Sequence, residues 1–277
     1  MTCPHCEGTG WHPVEREGVQ RVERCDCWRA GLTDKLLGDA RIPPRYRHCD
    51  LDNFRDNNDS LSAAVRRARG FAERFPVVDR GLFFVGKPGV GKTHLAVAAL
   101  KEAIRRTNAR GIFYDIRDLL KEIRSTYNPV VRTTEAEVIR PVMEAELLVL
   151  DDIGAEKTSE WVEETINLIV TTRYNERRAT IFTSNYTLLD DPLDPDSLAV
   201  RVGFRMWSRL HEMCDFVEMR GVDYREAGPD ATPDRLAELD RRGSASHRPA
   251  PSRTGKAMLK AQLKNKDLGW TGGKAGT

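Results

Sequence analysis

Short apolar runs alternate with amphipathic segments through the middle of the chain. The runs have the length and composition of buried strands, and they lie at 81–85, 111–116, 147–152, 179–185 and 216–221. Between them, apolar residues recur every three or four positions, which predicts helices over 60–75, 94–106, 118–127, 134–144, 158–178 and 197–213. Strands that alternate with helices predict an α/β fold, in which helices cover both faces of a parallel sheet. Pro141 could interrupt the helix that contains it.

The segments on either side of this core have different patterns. Residues 28–37 are predicted to form a short helix that stops at Gly38, and the prolines within 42–47 predict extended chain there. We divide the chain into an N-terminal segment (1–40), a linker and helix leading into the core (41–80), the core (81–225) and a tail (226–277). The tail is rich in Pro, Gly and charge and is predicted to be disordered.

The net charge of +2 is unevenly distributed. Between 241 and 277, nine Lys or Arg accompany one acid, Asp267, which gives +8 and leaves about −6 for the remainder. A basic tail on an acidic body suits a nucleic acid or an acidic protein partner, and a solvated tail without a partner is the alternative. No apolar run approaches the ~18 residues of a membrane span, and the N-terminus lacks a signal-peptide pattern. We therefore expect a cytoplasmic protein without membrane contact.

Residues 86–93 fit the phosphate-binding pattern G-x-x-x-x-G-K-[ST], between a predicted strand and a predicted helix. In such a loop, glycines let backbone N–H groups surround a triphosphate, and the helix that follows adds its positive end. Lys92 is predicted to reach the β- and γ-phosphates, and the Thr93 hydroxyl to ligate Mg²⁺. We expect ATP to contact Gly86, Pro88, Gly89, Val90, Gly91, Lys92, Thr93 and His94.

Two acids end the apolar run 147–152, which is the second signature of a P-loop ATPase. Asp151 is predicted to hold Mg²⁺ through water, and Asp152 to orient or deprotonate the attacking water. Glutamate is commoner at the second position, so the shorter Asp152 predicts slow turnover. Asn185 ends the next run and is assigned as the amide that senses the γ-phosphate. The alternative is that the two acids merely cap a strand end.

Four cysteines near the N-terminus have the spacing C-x2-C-x18-C-x-C, which predicts a structural, tetrahedral zinc site. They are Cys3, Cys6, Cys25 and Cys27. A segment this short cannot fold on apolar burial alone, so a metal would supply the missing stability. Because C-x-C is tighter than the usual pair, His5 or His12 could replace one ligand, and free or redox-active thiols are the other alternative. Cys49 and Cys214 are isolated in the sequence and are expected to be plain buried residues.

The segments GKPGVGKTHLA, LLVLDDIGAEK, TIFTSN and RVGFRMWSRLHEMCDFVEMRGVDYR together resemble the DnaC/DnaI-type replicative helicase loaders and their IstB-type sister family, all AAA+ ATPases. The resemblance extends from about Ile42 to Arg225, and the Cys-rich start is similar to the zinc-bearing N-termini of some loaders. It implies a minimal or absent lid, with Arg225 as the only stand-in for a sensor arginine.

The resemblance implies an ATPase that loads a hexameric DnaB-type replicative helicase onto single-stranded DNA. Binding of ATP would drive self-assembly through the ATP interface, hydrolysis would drive release, and the zinc segment would dock the partner. Two alternatives stay open: an IstB-like transposition helper that acts with a transposase, and a nucleotide-gated binding module with negligible hydrolysis.

The resemblance also implies roles for single residues. Arg209 matches the arginine finger that reaches the γ-phosphate of a neighbouring subunit, and Arg205, one helical turn earlier, could serve instead. Ser159 and Trp161 correspond to a polar–aromatic pair that binds single-stranded DNA, and Tyr127 is a second aromatic candidate. The helical spacing leaves open that Trp161 belongs to the core.

The substitution Lys92→Ala is expected to weaken ATP binding at least roughly tenfold, because it removes a charged donor to the phosphates. Equilibrium binding of a fluorescent ATP analogue measures this, with Lys121→Ala, in a predicted helix outside the loop, as the matched control. Equal affinity of the Lys92→Ala and Lys121→Ala proteins would contradict the assignment.

Overall fold

Strands alternate with helices along the core, as the hydrophobic pattern predicts. The computed structural model describes residues 3–16, 18–156, 159–186, 194, 197–228, 232, 235–236 and 238–239. The elements within them are β1 (Trp11–Arg16), β2 (Val19–Arg24), α1 (Asp26–Asp39), α2 (Asp59–Arg74), β3 (Gly81–Val85), α3 (Lys92–Thr107), β4 (Gly111–Asp115), α4 (Ile116–Ser125), α5 (Glu135–Glu144), β5 (Leu147–Asp151), α6 (Glu160–Asn175), β6 (Ala179–Ser184), α7 (Leu198–Val202), α8 (Phe204–Met213), β7 (Cys214–Glu218) and α9 (Tyr224–Ala227).

The central sheet has five parallel strands in the order β4-β5-β6-β3-β7. Every residue of β3 and β5 is buried, as expected of strands covered on both faces. Helices α2 and α3 pack on one face through residues such as Phe71 and Leu95, while α4, α5, α6 and α8 cover the other. The predicted α/β fold is therefore confirmed. Since the strands are parallel, their carboxyl ends meet at one edge of the sheet.

Two predictions on the N-terminal side were wrong. Helix α1 continues through Gly38 to Asp39. The stretch 42–47 is not extended but contains a 3₁₀ turn, Pro44–Tyr46, in which the Tyr46 N–H donates to the Pro43 carbonyl at 2.8 Å. Proline is excluded from the interior of a helix but not from its first turn, where its missing N–H needs no partner.

Other helix and strand boundaries in the core also differ from those predicted from the sequence. The segment predicted as one helix over 197–213 is two helices, because Gly203 adopts φ 81° and ψ 143° between them. The last strand is β7 at 214–218 rather than 216–221, since it pairs in register with β3 from Gly81 to Val85. Ile116 belongs to α4 rather than to a strand, because Asp115 caps that helix by accepting from the Arg117 N–H. Helix α6 ends at Asn175, short of the predicted 178.

Pro141 does not interrupt α5. A capping box between Thr134 and Glu137 stabilises the start of this helix. Its apolar face packs through the buried side chains of Val138, Ile139 and Val142. Packing and capping thus offset the hydrogen bond that the proline cannot donate.

The fully buried side chain of Arg173 joins α5 to the start of β6. Its guanidinium donates to the carbonyl oxygens of Val142, Met143, Ala145 and Ala179 and to the Thr180 hydroxyl. Burial lowers the pKa of Arg173 to about 9. These oxygens therefore stabilise a buried cation by hydrogen bonding.

The N-terminal segment is a two-stranded antiparallel hairpin, β1 and β2, followed by α1. The Arg24 guanidinium lies 3.9 Å from the ring centre of Trp11 and 4.4 Å from that of Trp28. The second half of α1 docks on the core, where the Thr33 hydroxyl donates to the Asn108 side chain at the end of α3. Most side chains in the first half of α1 are exposed.

Within the described ranges, no helix combines the length and the apolar character that a bilayer crossing requires. Most of the tail 226–277, including its basic part 241–277, lies outside the described residues, as does Thr158 at the predicted start of the helix 158–178.

Candidate active site

The loop between β3 and α3 has a backbone that only glycine fits at two positions. Gly89 and Gly91 have φ of 77° and 103°, in the left-handed region. A Cβ at Gly89 would lie 1.8 Å from an Asp223 carboxylate oxygen, and one at Gly91 would lie 2.5 Å from the Phe54 ring. The pattern of glycines is thus explained by the close approach of neighbouring segments as well as by backbone conformation.

The Lys92 ammonium lies inside this loop. It donates to the carbonyl oxygens of Gly86 at 2.8 Å and Lys87 at 2.7 Å, and the residue is 5% exposed. Burial lowers the pKa of Lys92 to about 8. A phosphate beside the ammonium would favour its charged form, so the loop is suited to an anionic ligand.

Asp151, at the end of β5, accepts hydrogen bonds from hydroxyls on two sides. The Thr93 hydroxyl donates at 2.8 Å and the Thr183 hydroxyl at 2.7 Å. Burial raises the pKa of Asp151 to about 6, although both hydrogen bonds oppose this shift. A carboxylate next to a threonine hydroxyl is a set of hard oxygen donors of the kind that Mg²⁺ prefers.

Asp152 points away from the strand because its backbone adopts φ 63°. Its N–H donates to the Thr183 hydroxyl at 2.8 Å, and the Asn185 amide donates to its carboxylate. Burial raises the pKa of Asp152, and the Arg117 guanidinium, 3.7 Å away, opposes the shift. The structure therefore brings the predicted base and the predicted sensor amide into direct contact.

These residues line a cavity of about 630 Å³, which is the size expected for a nucleotide. Pro88, Val90 and His94 line it, as does Arg225 from α9. The other wall comes from residues 45–57, which include His48, Asn53 and Phe54. The cavity lies at the carboxyl ends of the strands, as expected for a ligand site in a parallel sheet.

His94 lies in the wall of the cavity. It is not part of the loop 86–93, where the phosphates are predicted to bind. Its Nε2 atom lies 3.0 Å from the Asp50 carbonyl oxygen, and its ring makes an edge-to-face contact with Phe54. We call residues 47–55 the strap. Lys101 and Arg105 of α3 hold the strap through the Asp50 carboxylate, at 3.1 and 2.6 Å, and Lys101 also donates to two strap carbonyls.

The four N-terminal cysteines form one cluster, with all sulfur atoms within 4.8 Å of one another. Cys6 and Cys27 sulfurs are 3.3 Å apart, and the Gly10 N–H donates to Cys6 at 3.3 Å. In the described part of the chain, neither His5 nor His12 joins this cluster.

The candidate finger and the candidate DNA residues lie on other surfaces. Arg209 is on α8, where it donates to the Arg205 carbonyl at 3.4 Å, and it is not among the described residues that line the cavity. The Trp161 indole N–H donates to the Tyr127 hydroxyl at 3.1 Å. Ser159 caps α6 by accepting from the Val162 N–H.

Besides the wall 45–57, three residues that shape the site were not predicted from the sequence: Thr183, Arg117 and Lys101. Thr183 lies on β6, two positions before Asn185. Because β6 is next to β5 in the sheet, the contact of Thr183 with the two acids depends on the strand order. Arg117 follows the carboxyl end of β4, and the same strand order places it beside Asp152. Lys101 could have been noticed in the sequence because it is a lysine in a largely apolar part of α3.

A family of known proteins matches most of the chain. The sequence profile of the IstB-like ATP binding proteins matches residues 34–228. The replicative helicase loader DnaC of Buchnera aphidicola subsp. Acyrthosiphon pisum is 28% identical over 182 residues, which is 66% of this chain and 71% of that protein.

Solved structures agree with this match. The crystal structure of the DnaC helicase loader is 36% identical, with a TM-score of 0.58, and covers 64% of this chain and 100% of that one. The crystal structure of DnaI is 23% identical with a TM-score of 0.52, and covers 66% of this chain and 94% of that one. At this identity the second likeness shows the fold alone.

Thr183→Val is expected to lower the rate of ATP hydrolysis by roughly 10- to 100-fold, or about 1.4–2.7 kcal/mol, because both acids lose a hydrogen bond. The similar shape of valine should leave the loop and the affinity for ATP nearly unchanged. Steady-state phosphate release and equilibrium ATP binding measure the two effects. Thr171→Val, on α6, is the matched control, and equal turnover of the two variants would contradict the role given to Thr183.

Proposed function

The chain belongs to the family of IstB-like ATP-binding proteins and is a relative of the DnaC helicase loaders, and on that premise we propose that it loads a hexameric replicative helicase onto single-stranded DNA. The observation that carries the proposal is that Thr183 holds both Asp151 and Asp152 by hydrogen bonds. They lie in an AAA+ fold whose sequence is similar to that of DnaC. Binding of ATP drives assembly and hydrolysis drives release. The protein acts in the cytoplasm.

ATP binds in the cavity at the carboxyl ends of the strands, with its phosphates in the loop 86–93. Lys92 turns its ammonium from the loop carbonyls to the β- and γ-phosphates. The Thr93 hydroxyl and the Asp151 carboxylate, 2.8 Å apart, fit the donor set of Mg²⁺ and would hold it. When bound, Mg²⁺ neutralises charge on the phosphates.

Hydrolysis uses Asp152 and Asn185. The water oxygen attacks the γ-phosphorus, the bond to the β–γ bridging oxygen breaks, and the water proton passes to Asp152. Asn185, already hydrogen-bonded to that carboxylate, orients the water and the γ-phosphate. Arg117 holds Asp152 from the other side, and the aspartate is one methylene shorter than glutamate, so turnover is slow.

Arg209 acts on a second copy of the chain. It lies on α8, the helix that also carries Phe204, which is 54% exposed and suits a contact between subunits. A guanidinium from the neighbour stabilises charge on the transferred phosphoryl group, and this makes hydrolysis depend on assembly. Arg205, which is exposed, is the second candidate on the same helix, whereas Arg209 is half-buried.

The N-terminal cluster holds zinc and its segment docks the helicase. Four thiolates around Zn²⁺, each about 2.3 Å from the metal, are separated by roughly 3.8 Å. The Cys3–Cys25 and Cys6–Cys27 distances of 3.7 and 3.3 Å fit this arrangement, and the Gly10 N–H supports a bound thiolate.

Single-stranded DNA binds at the aromatic pair beside α6. Tyr127 is 55% exposed, and the Arg124 guanidinium lies 4.6 Å from the centre of the Trp161 ring. An arginine with two aromatic rings provides stacking and phosphate contact without sequence preference. Ser159, at the start of the same helix, is the polar member of the site.

Mass photometry of the protein mixed with its host's replicative helicase tests the loader proposal. A complex larger than the helicase hexamer is expected with ATP, and less of it with ADP or with Lys92→Ala. Arg209→Ala is expected to bind ATP normally but to form fewer complexes and hydrolyse ATP more slowly, with Arg140→Ala as the surface control.

The other outcomes separate the alternatives. Wild-type assembly of Arg209→Ala with ATP would reject the finger. If no complex forms in any nucleotide state, the loader proposal fails, and ATP-dependent assembly on duplex DNA would then favour the transposition helper. A complex that forms without any phosphate release would leave a nucleotide-gated binding module.

Trp161→Ala is expected to weaken binding of a single-stranded oligonucleotide by about 1–3 kcal/mol for each base it stacks, roughly 5- to 150-fold. Tyr127→Phe, which keeps the ring but removes the hydroxyl bonded to Trp161, should bind nearly as tightly as the wild type. Fluorescence anisotropy measures both, with thermal melting as a check of the fold. Unchanged affinity of a folded Trp161→Ala protein would assign this side chain to the core.

A further inference from the structure

A second cluster of metal-ligating side chains lies in the wall of the nucleotide cavity. His48, Cys49 and His94 each contribute one ligand atom, and these atoms all lie within 4.8 Å of one another. The Cys49 sulfur is 3.9 Å from His48 Nε2. In a tetrahedral site with Zn–S of about 2.3 Å and Zn–N of about 2.0 Å, two such atoms are roughly 3.5 Å apart. A movement of a few tenths of an ångström would therefore bring this pair to ligand spacing.

The surrounding contacts orient two of the three ligands. His94 Nε2 lies 3.0 Å from the Asp50 carbonyl oxygen, and a metal-ligating histidine usually donates its other ring N–H to such an oxygen. This leaves Nδ1 of His94 to bind the metal, while Phe54 packs against the edge of the ring at 5.2 Å. Cys49 is 1% exposed, and its carbonyl accepts from Lys101 at 2.7 Å. His48 is exposed and can rotate to complete the set.

The charges near the cluster do not exclude a cation. The Lys101 ammonium and the Arg105 guanidinium both pair with the Asp50 carboxylate, at 3.1 and 2.6 Å. Their positive charge is therefore partly neutralised before a metal arrives. The Cys49 thiol would release its proton to solvent when the metal binds, which further reduces the charge of the site.

We propose that His48, Cys49 and His94 form a second metal site, for Zn²⁺ or another divalent ion that accepts sulfur and imidazole ligands. Three protein ligands leave one coordination position open. The site joins the strap to the first turn of α3, directly after Thr93, and so links metal binding to the wall of the nucleotide cavity. It does not depend on the proposed loader function.

Equilibrium dialysis of the full chain against micromolar free Zn²⁺, followed by metal analysis, tests the site. The wild type is expected to bind two zinc ions per chain, one of them at the N-terminal cysteines. Cys49→Ser and His48→Gln should each bind one, or bind the second at least about tenfold more weakly. Cys214→Ser removes a buried thiol from β7, outside both clusters, and should still bind two.

The possible results are distinguishable. Equal zinc content in the wild type and in Cys49→Ser overturns the site, whatever the total. Because His48 is exposed, His48→Gln should fold normally, and full zinc binding by that variant also overturns it. If the N-terminal cysteines do not hold zinc, the wild type binds one ion and Cys49→Ser binds none, which supports the second site and rejects the first.

Discussion

The Thr183 hydroxyl joins the two acids at the centre of the candidate site, Asp151 and Asp152. It donates to the Asp151 carboxylate and accepts from the Asp152 N–H, so one side chain faces Thr93 and the next turns towards Asn185. The left-handed backbone of Asp152 costs on the order of 1 kcal/mol, which a buried hydrogen bond of this kind can offset. Pairing of β5 with β6 up to Leu150 and Phe182 places the threonine opposite the first acid. Two adjacent carboxylates thus have different surroundings.

Local patterns were sufficient to predict the fold class and the phosphate end of the cavity, but not the cavity wall formed by residues 45–57. The loop 86–93, the acids after β5 and Asn185 after β6 are each recognisable within a few residues of sequence. Thr183 and Arg117 are not, because their contacts depend on the order β4-β5-β6-β3-β7, and β3 precedes the others along the chain. Which strands are neighbours in a parallel sheet is decided by the tertiary structure, and no single segment of the sequence encodes the strand order.

The error at 42–47 has a local origin, whereas the surroundings of Cys49 and Arg173 depend on other segments. Proline rules gave extended chain at 42–47, although they only exclude the interior of a helix. Cys49 is isolated along the sequence, but the strap returns to α3 and brings it to His48 and His94. Arg173 resembles any charged residue near a helix end, yet five protein oxygens surround it in the interior. For Cys49 and Arg173, the environment of the side chain comes from elements other than the residue's own.

The two halves of helix α1 have different surroundings. Its second half docks at Asn108, the C-cap of α3, whereas most side chains of its first half, next to the cysteine cluster, are exposed. At 1.5 Å per residue, about seven undocked residues form a lever arm of roughly 10 Å. A tilt of about 6° at the docked half would therefore displace the cluster by about 1 Å. Because α3 starts at the phosphate loop and its C-cap contacts α1, two helices connect that loop with the cysteine cluster.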